Sequence, residues 1–242
     1  MKIKLLVAAA ATVVASSAMA QSAFQGFYGQ IATGYENNNV SNLSLTGTDT
    51  TDGSVDNWGA SNQSFGGAPL VIGLGYNFSV APKWLIGVGA DYSALSQKSS
   101  SFSQTIVGNG GSVSLNGTTI EMSNRFNIFV TPGYAIDKDK LAYFKAGYSM
   151  VTAKVNSPNG YTDSDGGSEN FVSGSQSKNL SGFVLGLGYK QIITGGLYGF
   201  AEFNYMSYGK QTYSGNLDTN YNVSTSPSAS SYQGLIGVGY RF

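Results

Sequence analysis

Apolar and polar residues alternate along most of this chain with a period of two, the repeat that sends successive side chains to opposite faces of a strand. From Leu70 to Val80, Leu70, Ile72, Leu74, Tyr76, Phe78 and Val80 share one face, and Val71, Gly73, Gly75, Asn77 and Ser79 the other. Trp84 to Ala94 repeats the pattern. In the final segment Tyr232, Ile236, Val238, Tyr240 and Phe242 oppose Gln233, Gly237, Gly239 and Arg241. Five more strands, at Phe24 to Glu36, Ile120 to Ile136, Lys140 to Val155, Leu180 to Ile193 and Leu197 to Thr212, bring the predicted total to eight.

The connections alternate as regularly as the side chains. Asn37 to Gly67, Ser96 to Thr119, Asn156 to Asn179 and Tyr213 to Ser230 are long, whereas Ala81 to Lys83, Asp137 to Asp139 and Thr194 to Gly196 are short. An up-and-down antiparallel meander places odd and even connections at opposite ends. The four long loops therefore share one end, and the tight turns and both chain termini the other. The long loops are rich in Ser, Thr, Asn and Gly, as in Ser41 to Gly53 and Ser99 to Gly117, and are expected to be mobile and hydrated. Leu43, Leu45, Val55, Trp58, Phe65, Phe102, Phe171 and Val172 are scattered through them. Trp58 and Phe65 are the candidate contact residues, with docking over the barrel mouth as their other role.

Composition then decides what surrounds the strands. The 242 residues hold 13 Lys+Arg, 13 Asp+Glu, 33 Gly, no His and no Cys, and only 11% are charged. Lacking His and Cys, the chain has no Ser-His or Cys-His pair, no zinc site of the usual ligands and no disulfide framework. Its balanced charge gives no basic footprint for nucleic acid. So few charges make a poor water-facing surface, for which roughly 25–35% is usual. Lys2 and Lys4, the apolar run Leu5 to Ala15 and Ser17-Ala18-Met19-Ala20 read as a signal peptide over residues 1–20. The mature domain, residues 21–242, then carries 11 basic against 13 acidic residues.

In a bilayer every backbone donor and acceptor must be paired inside the protein, which for strands means a closed barrel with apolar residues outward. The aromatic residues sort by height on that outward face. Phe27, Phe78, Trp84, Tyr134, Tyr189, Tyr240 and Phe242 lie near the short turns, and Tyr35, Tyr92, Tyr148, Tyr205 and Tyr232 near the long loops. Between them run Ile31, Leu74, Val88, Ile128, Leu187, Ala201 and Ile236, an apolar band between two interfacial girdles. The predicted fold is all-β, an eight-stranded antiparallel up-and-down transmembrane β-barrel.

The Gly-x-Gly-Tyr strands at Gly73 to Tyr76, Gly186 to Tyr189 and Gly237 to Tyr240, with Tyr143-Phe-Lys-Ala-Gly-Tyr148 and Ala201-Glu-Phe-Asn-Tyr205, resemble the Gram-negative outer-membrane β-barrel domain family. Its members include small OmpA-like, OmpX-like and opacity-type surface proteins. Ile236, Val238, Tyr240 and the terminal Phe242 resemble the C-terminal signal read by the barrel assembly machinery. The resemblance implies outer-membrane lipid and that machinery as partners, periplasmic termini, extracellular loops and an extracellular ligand or host surface as candidate target. No peptidoglycan-binding domain is expected after Phe242.

Eight strands enclose a lumen that side chains can fill. Asp91, Glu121, Arg125, Lys145, Lys190, Glu202 and Arg241 point inward by parity, with Tyr28, Gln30, Asn77, Asn127, Tyr198 and Asn204. Glu121 and Glu202 with Arg125, Lys145 and Arg241 are expected to form an ion-pair network that plugs the barrel, because an unpaired buried charge costs several kcal/mol. The alternative reading of the same charges is an ion path or gate. Inward glycines are read as space for bulky neighbours such as Tyr28, Phe129 or Arg125. A catalytic carboxylate pair would need a substrate cleft, and none is evident; no enzyme activity, cofactor or metal site is predicted. Gly73-Leu-Gly75 and Gly87-Val-Gly89 lack the third glycine of a dinucleotide fingerprint. Asp163, Asp165 and Glu169 depart from calcium-loop spacing and read as a solvated turn. The functional expectation is a structural and surface-interaction barrel with a plugged lumen, serving adhesion, host contact or envelope integrity; the alternative is a narrow porin-like channel.

Overall fold

Eight strands carry the period-two pattern in the computed structural model: β1 Gly26–Ser41, β2 Leu70–Ala81, β3 Trp84–Ser93, β4 Gly111–Ala135, β5 Lys140–Asn156, β6 Ser175–Thr194, β7 Leu197–Tyr208 and β8 Ser228–Arg241. The structure describes residues 22–242 except 59–60, 109–110, 157, 171–173 and 219, and within them every regular element is a strand. Residues 1–20, the expected signal peptide, and Gln21 lie outside the described residues.

Each strand pairs antiparallel with its successor. The sheet closes where β8 pairs β1, from Tyr28↔Arg241 to Ser41↔Ser228, so the wall has no free edge. Following the register from Gly29 through Leu74, Ala90, Ile128, Tyr148, Phe183, Ser207 and Ser230 returns to β1 at Asn39, ten residues above the start. This stagger is the strand tilt that a closed barrel requires. It brings together inward residues whose positions along their own strands look unrelated.

The tight turns fall at the predicted places. In the turn between β4 and β5, the Lys140 ammonium donates to Asp137 Oδ2 at 2.8 Å and the Asp139 backbone N–H to Asp137 Oδ1 at 2.8 Å. The Lys140 contact, then the Asp139 N–H, hold the Asp137 carboxyl below the usual aspartate range. A depressed folded-state value adds stability above the ordinary aspartate pKa of about 3.9 and loses it as pH falls through the folded value. Titration of Asp137 by NMR should give a midpoint below that of an unstructured aspartate. A midpoint at or above it would contradict the turn geometry.

The long loops depart from expectation. Beyond the low-complexity composition from which mobile, hydrated loops are expected, they continue as hydrogen-bonded strands. Leu45–Asp49 and Val55–Trp58 of the first loop join Tyr213–Asp218 and Tyr221–Thr225 of the fourth in a four-stranded sheet. The upper part of β4 pairs with Phe102–Gly108 on one side and Gly160–Asp163 on the other, and the latter continues to Ser168–Asn170. Two shorter pieces, Gln63–Gly67 on β1 and Gln97–Lys98 on β4, thicken the rim. Polar residues and glycine outnumber apolar ones in these segments, so hydrophobic periodicity fades where the backbone ladder does not.

The lumen is layered. Nearest the short turns are Phe24, Leu85, Ala135, Leu141 and Tyr143, with Tyr28, Ala32, Val71, Tyr198, Phe200 and Leu235 beside them. A belt of charged and amide side chains follows. Above it a second apolar layer includes Val40, Ile120, Met122, Val151, Leu180 and Met206.

Candidate functional site

The charged belt is one hydrogen-bonded chain across the barrel. Lys145 on β5 sits between two carboxylates, 2.7 Å from Asp91 Oδ2 on β3 and 2.9 Å from Glu202 Oε1 on β7. Asn127 donates to the other Asp91 oxygen at 2.6 Å, and Tyr143 to Glu202 Oε2 at 2.7 Å. Asn204 reaches both Glu202 at 2.8 Å and Gln233 Oε1 at 3.1 Å. Gln233 in turn donates to Glu36 at 2.9 Å. Glu36 is ion-paired with Arg125. The Arg125 guanidinium also donates to Tyr208 Oη at 3.0 Å, Asn38 Oδ1 at 3.0 Å and Ser231 Oγ at 3.1 Å. Asp91, Glu202, Glu36, Lys145 and Arg125 are all buried, so these pairs are screened little by water.

Of the seven charges expected inside, Asp91, Arg125, Lys145, Lys190 and Glu202 face the lumen and are buried. Glu121 does not. Opposite Val151, β4 carries one extra residue, so that Phe126 pairs with Met150 but Ser123 with Thr152. Asn124 takes a left-handed backbone there, with φ 53. Such a bulge reverses the parity of everything above it. Ile120 and Met122 turn inward, and Glu121 turns to the outer side, in register between Lys98 and Lys154. Arg241 is also outside the belt, half-buried at the short-turn rim, where it donates to the Gln25 carbonyl at 3.4 Å.

Glu36 takes the place expected for Glu121. Its parity with Tyr28 and Gln30 was the available signal, obscured because the strand was predicted to end there. Asn38 and Ser231 join the belt from positions that the sequence pattern does not single out, and Gln233 does so from the inward face on which alternation places it. Within the belt three buried acids, Glu36, Asp91 and Glu202, face three buried bases, Arg125, Lys145 and Lys190. Several inward glycines abut aromatic rings, a Cβ on Gly188 meeting Tyr143, on Gly239 Tyr198, and on Gly89 both Phe129 and Tyr28, while Gly73, Gly87 and Gly186 face Gln30, Thr131 and Asn204.

On the outer wall, Phe27, Trp84, Tyr134, Tyr189, Tyr240 and Phe242 are exposed toward the short turns, with Phe78 half-buried among them. Tyr35, Tyr92, Tyr148 and Tyr232 are exposed toward the long loops, with Tyr205 half-buried. Rings pair within each row, Trp84 with Tyr134 at 5.1 Å below and Tyr205 with Tyr232 at 5.0 Å above. Ile31, Leu74, Val88, Ile128, Leu187 and Ile236 fill the band between. Ile236, Val238, Tyr240 and Phe242 run along the outer face of β8 and its end.

In the loops, Phe65 and Leu43 are buried in the upper apolar layer, so Phe65 packs rather than projects. Val55 is exposed, while the side chain of Trp58 and residues Phe171 and Val172 lie outside the described residues. Asp163 to Glu169 spans a small hairpin, in which the side chains of Asp163 and Glu169 lie outside the described residues.

A closed antiparallel cylinder with an apolar, aromatic-banded exterior and its charges inside defines a transmembrane β-barrel. The chain belongs to the outer membrane protein beta-barrel domain family, whose model matches residues 6–242. Its place is the bacterial outer membrane. No curated protein matches it significantly. Among solved structures it is similar to the outer membrane protein OprG of Pseudomonas aeruginosa, with 16% identity, 91% of this chain and 98% of that one covered, and a TM-score of 0.55. It is similar to the outer membrane protease OmpT of Escherichia coli at 10% identity, 94% and 100% coverage and a TM-score of 0.50. The attachment invasion locus protein Ail of Yersinia pestis aligns at 15% identity over 90% of this chain and 99% of that one, with a TM-score of 0.39.

Proposed function

We propose that this protein is a surface-interaction barrel whose lumen is closed by its own side chains and whose long loops face outward, with both termini in the periplasm after removal of residues 1–20. The observation that carries this reading is the unbroken run of hydrogen bonds from Asp91 to Arg125 across the lumen. A run in which Asp91, Lys145, Glu202, Glu36 and Arg125 are each paired resists parting, because separating one member strands another in a low-dielectric space. The apolar layer above it adds a second barrier to water. The loops, tied into two sheets, form a preorganised surface, which lowers the ordering cost of binding a partner. The belt offers no cleft to a substrate, and without His or Cys the chain holds no nucleophile-base pair that uses them.

Reconstitution in planar bilayers tests the closed lumen. The wild-type protein should give no steady conductance. Single-channel steps altered by charge reversal at Glu202 would replace the plug with a narrow channel. Trimming Leu45–Asp49 to Val55–Trp58 and Tyr213–Asp218 to Tyr221–Thr225 should abolish surface binding while heat-modifiable folding of the barrel persists. Unchanged surface binding would restrict those loops to a cover.

A further inference from the structure

Lys190 is the one buried base of the belt that no carboxylate accompanies among the described residues. It lies on β6 below the Lys145 cluster, and its Nζ is held by rings: 4.1 Å from the Tyr28 centroid, 4.9 Å from Tyr198 and 5.3 Å from Tyr143. The nearest acid in the belt is already committed, since Glu202 accepts Lys145 and Asn204 on one oxygen and Tyr143 on the other. A buried ammonium surrounded by aromatic faces is the arrangement by which proteins recognise organic cations.

The three rings are not there by default. Each leans over a glycine of a neighbouring strand: Tyr28 over Gly75, Tyr143 over Gly188 and Tyr198 over Gly239, where a Cβ would collide with the ring. Two rings are also fixed through their hydroxyls, Tyr143 to Glu202 at 2.7 Å and Tyr198 to Gln30 Oε1 at 3.1 Å. The cage walls are therefore held by contacts that do not involve Lys190. Walls that stand without their occupant make a site, and the tethered side chain fills it.

We infer that Tyr28, Tyr143 and Tyr198, with the negative charge of Glu202 behind them, form a binding site for a primary or quaternary ammonium ion, occupied at rest by the protein's own Lys190. This goes beyond the surface role proposed above and depends on neither the loops nor the conductance of the lumen. Emptying the cage should let an untethered ammonium ion enter.

The test uses the full-length protein with Lys190→Ala, refolded into lipid vesicles, and ethylammonium chloride as the probe against equimolar sodium chloride. Ethylammonium should raise the temperature of the heat-modifiable transition in the variant saturably, while sodium leaves it unchanged and the wild type responds to neither. Adding Tyr28→Phe, which keeps the ring, should preserve the effect. Adding Tyr198→Leu should weaken it about tenfold, the scale of one desolvated cation–π contact. Lys190→Met, whose uncharged stem still fills the cage, should fold and ignore the probe. If Lys190→Ala fails to fold alone, refolding in ethylammonium but not sodium supports the site. Failure in both salts, a shift equal in sodium, or an equal response from Lys190→Met overturns it.

Discussion

Replacing Lys145 by Met should cost about 3–5 kcal/mol of barrel stability, the penalty for removing one partner from a buried ion pair. Here the penalty falls on two carboxylates at once, because Asp91 and Glu202 share the one ammonium. Lys145 also lies 4.2 Å from the Phe129 ring centroid, so its removal loses a cation–π contact as well. Urea titration of the protein in lipid vesicles should show the loss as a lower midpoint at unchanged slope. The triple variant Lys145→Met, Asp91→Asn, Glu202→Gln should recover most of it, since no carboxylate is then left without its ammonium. A triple variant no better than the single would mean that shape, rather than charge pairing, holds this layer.

Replacing Asn124 by Val should be comparably damaging, although no charge is removed. The extra residue on β4 is what sends Ile120 and Met122 inward and Glu121 outward, and its left-handed backbone is one that a β-branched residue resists. With residue 124 drawn into regular strand geometry, the alternation set by Arg125 and Asn127 would continue upward through Ser123, pressing Glu121 into the layer of Val151 and Ala153 and expelling two apolar side chains. An unpaired carboxylate there costs several kcal/mol. The second change Glu121→Leu should restore much of the stability in the Asn124→Val background and do little in the wild type. Since the chain has no Cys, a Glu121→Cys probe reports the facing directly: it should react with a membrane-impermeant thiol reagent in the wild-type frame and be protected in the Asn124→Val background. Equal reactivity in both would show that parity is not set at Asn124.

These two residues mark where the chain's own pattern stops informing. The eight wall strands, their order and the ends joined by short turns were legible because one face of every strand meets hydrocarbon, and a one-residue error there would invert a whole face. The aromatic rows were legible for the same reason. The belt was only partly so. Parity assigned Asp91, Arg125, Lys145, Lys190 and Glu202 to the lumen, but parity is a property of single strands and pairing across a lumen is not. Arg125 meets Glu36 eighty-nine positions away because of the ten-residue stagger, which alternation does not encode. Glu121 was misplaced because a bulge needs only one residue in a left-handed conformation, and Asn124 sits in a run that alternates plausibly on either side of it. The loop sheets were illegible because backbone hydrogen bonds between Ser, Thr and Asn residues leave no hydrophobic trace.

The unequal strand lengths carry a further consequence. A tilted strand crosses a bilayer in roughly 9–11 residues, yet β4 has 25, followed by 17 in β5 and 20 in β6, while β2 and β3 stop at 12 and 10. One part of the wall thus rises as a stiff mast roughly 30 Å past the headgroups at about 3.3 Å per residue, whereas β2 and β3 beside it end near them and the first and fourth loops, joined in a sheet of their own, extend the side of β1 and β8. With that end turned outward, a neighbouring cell or polymer would meet two separate ridges with a step between them, even though the cylinder beneath is nearly symmetric.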